Sequence, residues 1–276
     1  MPAMIAPVRR SRRCIPLLAL AAAACGGSTS RPTSAPAPAR LTNGTGLIAA
    51  MHARHAGTWY RSATFVQRTT QVPLQGGLER RSTWYETMQI PGRLRIDTDL
   101  QAGAGTLFAN DSQYVVVNNA SRRAVAGHNV LLVLGFDVYG QDPARTTEVL
   151  GSLGFPMTPL REGTWQGRPV WIVGGKDATD LHSPQFWVEK ERLLFVRLLQ
   201  PFPGDTTKTY DVRFSDYTPT KPGTASQAWI AITVEALVGD KRILLEQYDD
   251  VKTDLPIDPA LFDPKRWGTA KHWAKK

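Results

Sequence analysis

From residue 58 to residue 251 the chain repeats one pattern. Short runs rich in Thr, Val, Tyr, Trp and Phe are separated by turns built on Gly, Pro or Asn-Asp. The runs at 58–72, 78–90, 94–100, 106–110 and 113–118 are followed by a second series at 160–164, 168–173, 185–188, 193–200, 207–217, 227–238 and 242–251. They read as about ten or eleven strands in consecutive hairpins. Parallel strands need a crossover of a dozen or more residues, usually a helix. Only two helices are legible, so the pattern predicts an antiparallel sheet in a mainly β protein with a few helices, an α+β class. The first helix, 45–55, places Leu47, Ile48, Met51 and His55 on one face, with Thr45 as its cap. The second begins at Asp142-Pro143, an N-cap followed by proline at the first helical position, and runs to about Leu153. A compact apolar segment, 129–139, precedes it. These short elements need a surface to pack on, and one face of the sheet is what the chain offers.

The N-terminus has a different character. Arg9, Arg10, Arg12 and Arg13 precede an apolar stretch from Cys14 to Ala24 that is too short to span a bilayer and fits a signal-peptide h-region. Cys25 stands where a secretory signal would have its small-residue cleavage site, and Ala22-Ala23-Ala24-Cys25-Gly26-Gly27 resembles the lipobox of bacterial lipoproteins, with Ala22 where leucine is commonest. The alternative is a plain secretory signal cleaved near Ala24. The resemblance implies diacylglycerol on the Cys25 thiol, cleavage before it, and acylation of the new N-terminus with chains such as palmitate. The chain has two cysteines and Cys14 leaves with the signal, so Cys25 has no disulfide partner, and thioether formation accounts for the thiol. Each buried methylene contributes about 0.8 kcal/mol, so two or three chains would hold the protein at a membrane persistently. The expected organisation is a signal peptide at 1–24, the lipidated Cys25 and a Pro/Ser-rich linker at 25–41, a folded domain at 42–264 and a basic tail at 265–276.

The net charge of +9 suggests a nucleic-acid partner until it is partitioned. Four arginines belong to the signal, and Lys265, Arg266, Lys271, Lys275 and Lys276 account for the remainder. The domain between is neutral and carries no basic stripe with interleaved aromatics, which argues against nucleic acid. The basic tail is expected to be a solvated, frayed terminus.

Three stretches give the folded region a family likeness. The first is the helix followed by Trp59-Tyr60 and, further on, Phe65 and Gln67; the second runs from Trp84-Tyr85 through Met88, Ile90-Pro91-Gly92 and Leu94-Arg95-Ile96-Asp97. The third pairs Gln185-Phe186-Trp187-Val188-Glu189-Lys190 with Tyr248-Asp249-Asp250-Val251-Lys252-Thr253-Asp254. In this order they resemble the LolA/LolB-like outer-membrane lipoprotein carrier superfamily. The resemblance implies a strongly curved antiparallel sheet forming an unclosed barrel, helices across its concave face, and lipid or acyl chains bound between them. Alternate-residue spacing then nominates Trp59, Phe65, Trp84, Met88, Ile90, Leu94, Ile96, Leu107, Trp171, Val173, Phe186 and Val188 as the apolar lining, against the alternative of an ordinary closed core. The family also has an arginine on an early strand that bonds the covering helices. Arg80 and Arg81 occupy the comparable region as gating candidates. The soluble carrier of the family has no lipid anchor, so the likeness is closer to the anchored receptor or to a divergent relative, and the absence of aspartate at Gly26 and Gly27 implies an outer-membrane site facing the periplasm.

Catalytic residue types do not assemble into a recognisable setting. His52 and His55 lie three apart on the first helix without a Glu or third ligand in metal-site spacing. Asp177, Asp180, His182 and Ser183 fall within one short stretch, whereas triads are assembled across a fold, and no Gly-x-Ser-x-Gly elbow is present. No metal, cofactor or enzyme activity is expected. The expected role is a membrane-anchored, non-enzymatic protein that binds an acyl chain or lipoprotein. The alternative is an envelope sensor or scaffold of the same fold that binds another envelope protein.

Overall fold

A computed structural model describes residues 40–221 and 228–274, the Arg122 side chain excepted. The signal segment, Cys25 and nearly all of the linker lie outside the described residues. After α1 (Gly44–His55) come β1 (Ser62–Gln71), β2 (Arg80–Gln89), β3 (Arg93–Asp99), β4 (Ala104–Ala109), β5 (Ser112–Val117) and β6 (Ala120–Ala126). Two short helices, α2 (Val130–Gly135) and α3 (Pro143–Ser152), flank a 3-10 turn at Asp137–Tyr139. The second series is β7 (Leu160–Trp165), β8 (Arg168–Gly174), β9 (Gln185–Glu189), β10 (Leu194–Phe202), β11 (Asp205–Pro219), β12 (Trp229–Val238) and β13 (Lys241–Thr253).

The strands form one antiparallel sheet in the order β6-β5-β4-β3-β2-β1-β13-β12-β11-β10-β9-β8-β7. The sheet is curled and unclosed, because β6 and β7 are its two free edges. The chain starts mid-sheet, meanders out to β6, crosses to the far edge through α2 and α3, and meanders back until β13 lies beside β1. The described residues form 13 strands, more than the sequence pattern resolves. One that it misses is β6: Ser121, Arg122 and Arg123 interrupt any apolar alternation, and only pairing with β5 makes this segment a strand.

Helix α1 is capped by Asn43, whose Oδ1 accepts from Gly46 N at 2.8 Å, rather than by Thr45. Its Leu47, Ile48 and Met51 are fully buried, each worth about 1.5–3 kcal/mol of removal from water. Glycine at position 44 is required by close approach: a Cβ there would sit 2.5 Å from Val173 Cγ1 on β8. Asp142 caps α3 as its sequence predicts, accepting from Ala144 N and Arg145 N. The helices and one face of the sheet share a contiguous apolar core that includes Leu132, Val133, Leu134, Val138, Val149 and Leu150.

The opposite face carries a second core. Leu107, Ala109 and Val116 pack against Phe262 and Trp267 from the C-terminal segment. The tail expected to be solvated beyond residue 264 is therefore folded: Trp267 and His272 are each only 2 % exposed, and Trp273 Nε1 donates to Thr87 Oγ1 at 2.7 Å. The signal was present in the apolar members Trp267 and Trp273, which the local concentration of lysines masks. Gly105 makes room for this docking, since a Cβ there would lie 2.8 Å from the Trp267 ring.

Candidate functional site

Strand register decides which side chains face the helices. Phe65 lies opposite Glu86, Met88 opposite Leu94 on the next pair, and Leu94 opposite Phe108, so these residues share the helix-covered face. Of the twelve lining candidates, Trp59, Phe65, Met88, Leu94, Val173, Phe186 and Val188 belong to the core beneath the helices, and Ile90, Ile96 and Trp171 pack against it. Trp84 pairs with Gln67 on the same face and is half-buried. Leu107 corrects the expectation: it alternates with Phe108, points to the outer face, and contacts the C-terminal segment.

The concavity is filled by the helices rather than open. Where α2 meets β4, the remaining gap measures about 20 Å³, room for a single water molecule. A few polar contacts fasten the cover. Asp137 Oδ1 accepts from Gly92 N at 3.0 Å in the β2–β3 turn, and the Tyr139 hydroxyl accepts from Phe195 N at 2.9 Å. His55 Nε2 donates to the Arg192 carbonyl at 2.8 Å, which ties the end of α1 to the β9–β10 turn, and burial lowers its pKa. Among the described residues, no group of three or more His, Cys, Asp or Glu is placed to hold a metal.

Sequence reasoning singled out Arg80 and Arg81, and the structure places both on the exposed part of β2. Arg81 pairs with Glu79 at 2.7 Å with its side chain 81 % exposed, and among the described residues neither arginine bonds a helix. The loop at 177–183 is a self-satisfied turn. Asp180 Oδ1 accepts from His182 N and Ser183 N, its Oδ2 accepts from Lys176 N, and these N–H groups hold its carboxyl below the ordinary range. His182 Nδ1 meets Thr209 Oγ1 at 2.9 Å, which ties this ring nitrogen to β11 rather than to Asp177, Asp180 or Ser183 of its own loop.

What the sequence reading missed is a set of polar groups on the helix-covered side. Burial pushes the Asp137 carboxyl up to about 7, against the opposing effect of Gly92 N–H. Burial likewise pushes Glu246 up to about 7, with the Tyr248 and Gln67 hydrogen bonds opposing, and pushes Glu86 well above the usual range, with Glu246 adding to the shift. Gln67, fully buried on the strand between them, donates through Nε2 to Thr69 Oγ1 and leaves Oε1 without a partner. Glu86, Gln67 and Glu246 lie on strands that otherwise alternate normally, and only the sheet order brings β2, β1 and β13 side by side.

At one rim of the half-barrel a cleft of about 340 Å³ opens between the end of α1, the start of β1, the β2–β3 turn and the 3-10 turn. His52, Trp59, Tyr60, Ile90 and Tyr139 are among its walls. Trp59 stacks on Tyr60, with centroids 5.1 Å apart, and packs against Tyr139 at 3.8 Å. Further round the same face, beyond the helices, Val115, Val117 and Val125 on β5 and β6 are exposed.

No protein-family model matches the sequence, and no curated protein matches it. Solved structures do match in fold. A domain assigned to outer-membrane lipoprotein sorting from Vibrio parahaemolyticus superposes with a TM-score of 0.50 at 11 % identity, covering 82 % of this chain and 98 % of that one. A DUF1329 family protein from Desulfovibrio piger gives a TM-score of 0.51 at 15 % identity over 80 % of this chain and 95 % of the other. The likeness spans the sheet and its helical cover, and at these identities it speaks to architecture. The chain has the LolA-like fold of an unclosed, curled antiparallel sheet with helices laid across one face.

Proposed function

We propose that this is a lipid-anchored protein of the bacterial cell envelope, facing the periplasm, that takes up an acyl chain of a lipid or lipoprotein between its helical cover and its sheet and performs no covalent chemistry. The observation that carries this reading is the nature of the cover. Helices α2 and α3 have 6 and 10 residues, lengths at which a helix is marginal in water on its own. They stay in place because Leu132, Leu134, Val149 and Leu150 are buried against an apolar floor. An acyl chain offers that floor the same kind of contact, so it can exchange for the helices at modest cost. The Cys25 anchor read from the sequence would keep the protein at the membrane from which such a ligand comes, with a linker reaching about 20 Å as a coil and about 50 Å fully extended.

Organic extraction of the purified full-length protein followed by mass spectrometry should recover a copurifying acyl lipid. The delipidated protein should then bind a fluorescent fatty acid saturably. Recovery of no lipid together with no binding sinks the proposal. One observation favours a second reading, an envelope sensor or scaffold: the filled interior coexists with the exposed valines of β5 and β6, an apolar surface available to a protein partner. A single stoichiometric partner cross-linked through residues 115–125, with lipid binding absent, would establish that reading instead.

A further inference from the structure

The rim cleft contains a feature that an apolar binding site does not need. Trp59, 8 % exposed, and Tyr60, 1 % exposed, both line it, and the Trp59 Nε1–H and the Tyr60 hydroxyl are buried without a hydrogen-bond partner. His52 Nδ1, from a third wall residue, is in the same condition. Buried polar groups are almost always paired, because leaving one unpaired forfeits its hydration with nothing in return. Three such atoms around one cleft are therefore a concentrated deficit. Their chemistry has a direction. An indole N–H can only donate, a phenol hydroxyl donates readily, and imidazole Nδ1 donates in one of its tautomers. Arg61 adds a positive charge at the edge, and among the described residues no acidic side chain lines the cleft.

We propose that this cleft receives the polar end of the acyl ligand, with the Trp59 Nε1–H and the Tyr60 hydroxyl donating to a carbonyl or carboxylate oxygen. The inference rests on the acyl-binding reading above and adds the place and polarity of the head group. Ile90, Trp59 and Tyr139 belong both to the cleft wall and to the apolar assembly beneath the helices, so a chain whose head sits here has its tail directed under the cover. The 3-10 turn that carries Tyr139 is also the segment latched to Gly92 through Asp137, which places the head-group site next to the fastening that must give way.

The test uses full-length protein titrated with a fatty acid bearing a fluorophore at its methyl end, and separately with the methyl ester of the same probe. Tyr60→Phe and Trp59→Phe keep an aromatic ring and remove the donor. Each should weaken binding of both probes by about tenfold, the size of one good hydrogen bond. A larger loss for the acid than for the ester would identify a carboxylate as the preferred head. Ligand-free Tyr60→Phe protein should melt at or above the wild-type temperature, because the substitution removes an unpaired buried hydroxyl. Wild-type affinity in both variants overturns the head-group site while leaving acyl binding intact. A lowered melting temperature in ligand-free Tyr60→Phe protein overturns it too, since the hydroxyl would then have a partner in the fold. Failure of the wild-type protein to bind either probe removes this inference together with the reading beneath it.

Discussion

The two faces of the sheet treat buried charge in opposite ways. On the outer face Arg95 and Asp97 make a bidentate pair with both bonds at 2.8 Å, His272 Nε2 adds a bond to Asp97 at 3.0 Å, and the guanidinium lies 3.7 Å from the centre of the Trp267 ring. Burial pushes the Asp97 carboxyl up, but the hydrogen bonds from Arg95 and His272 override it and hold the group below its ordinary range. On the helix-covered face Glu86, Asp137 and Glu246 have no ion-pair partner among the described residues, and burial raises all three. A paired ion fixes one geometry and resists separation. Carboxyls that burial holds more readily protonated, together with unpartnered donors, leave a surface with no fixed counter-charge that can still accept a polar group. The outer face is thus built as a fixed joint between sheet and C-terminus, whereas these three carboxyls of the inner face make no ion pair among the described residues, an arrangement that the proposed exchange with an acyl chain requires.

That contrast can be broken most directly at Arg95. Arg95→Met strands the Asp97 carboxylate, 1 % exposed, without its cation and should cost about 3–5 kcal/mol in urea denaturation near neutral pH. An unchanged midpoint would mean that the outer network holds nothing together. The second expected effect lies on the inner face and depends on pH. Asp137 has a raised folded-state pKa, so the folded protein holds a proton that the unfolded chain releases more readily. Its contribution is fully present below about 4, the unfolded value, and is lost as pH rises through about 7. Asp137→Asn keeps an oxygen acceptor for Gly92 N and should raise stability at pH 8 by on the order of 2 kcal/mol while flattening the slope between those limits. Glu246→Gln should act in the same direction and less, because Glu246 is half-buried and partly screened by solvent. The outer face has the opposite sign, since the Asp97 contribution is present above the ordinary carboxylate range and lost as pH falls. Denaturation series at pH 5 and pH 8 distinguish the two. The smallest effect should come from Arg81→Ala, which removes an exposed pair and should change stability by less than about 0.5 kcal/mol without altering acyl-probe affinity. A marked loss of affinity there would restore Arg81 as a gate.

Much of the fold was legible because its information is local. Alternating apolar residues, Gly and Asn turns and the Asp142-Pro143 helix start each act over a few positions, and the hairpins follow from them. Leu107 shows where that reasoning stops. Leu107 and Phe108 are both apolar, one face of β4 is buried and the other partly so, and alternation alone cannot tell which of the two meets the helices. The candidate site was less legible. Trp59 and Ile90 could be nominated as apolar lining, but the isolation of Trp59 Nε1 and of the Tyr60 hydroxyl depends on which neighbours the folded chain fails to supply. The charged groups were hidden for a related reason. Glu86 and Glu246 look like ordinary strand residues until β1 is placed between their strands, a neighbourhood set by 160 residues of intervening chain.

The position of that central strand also bears on how the molecule comes together in time. Every neighbouring pair in the sheet joins strands consecutive in sequence except β1 and β13, where Ala63 meets Thr253 across about 190 residues. Hairpins on each side can therefore form early and independently at little entropic cost. The single remote seam must close late, at a loop-closure cost about 2–3 kcal/mol above that of a ten-residue loop. The slow step of folding is thus concentrated at one strand pair in the middle of the sheet.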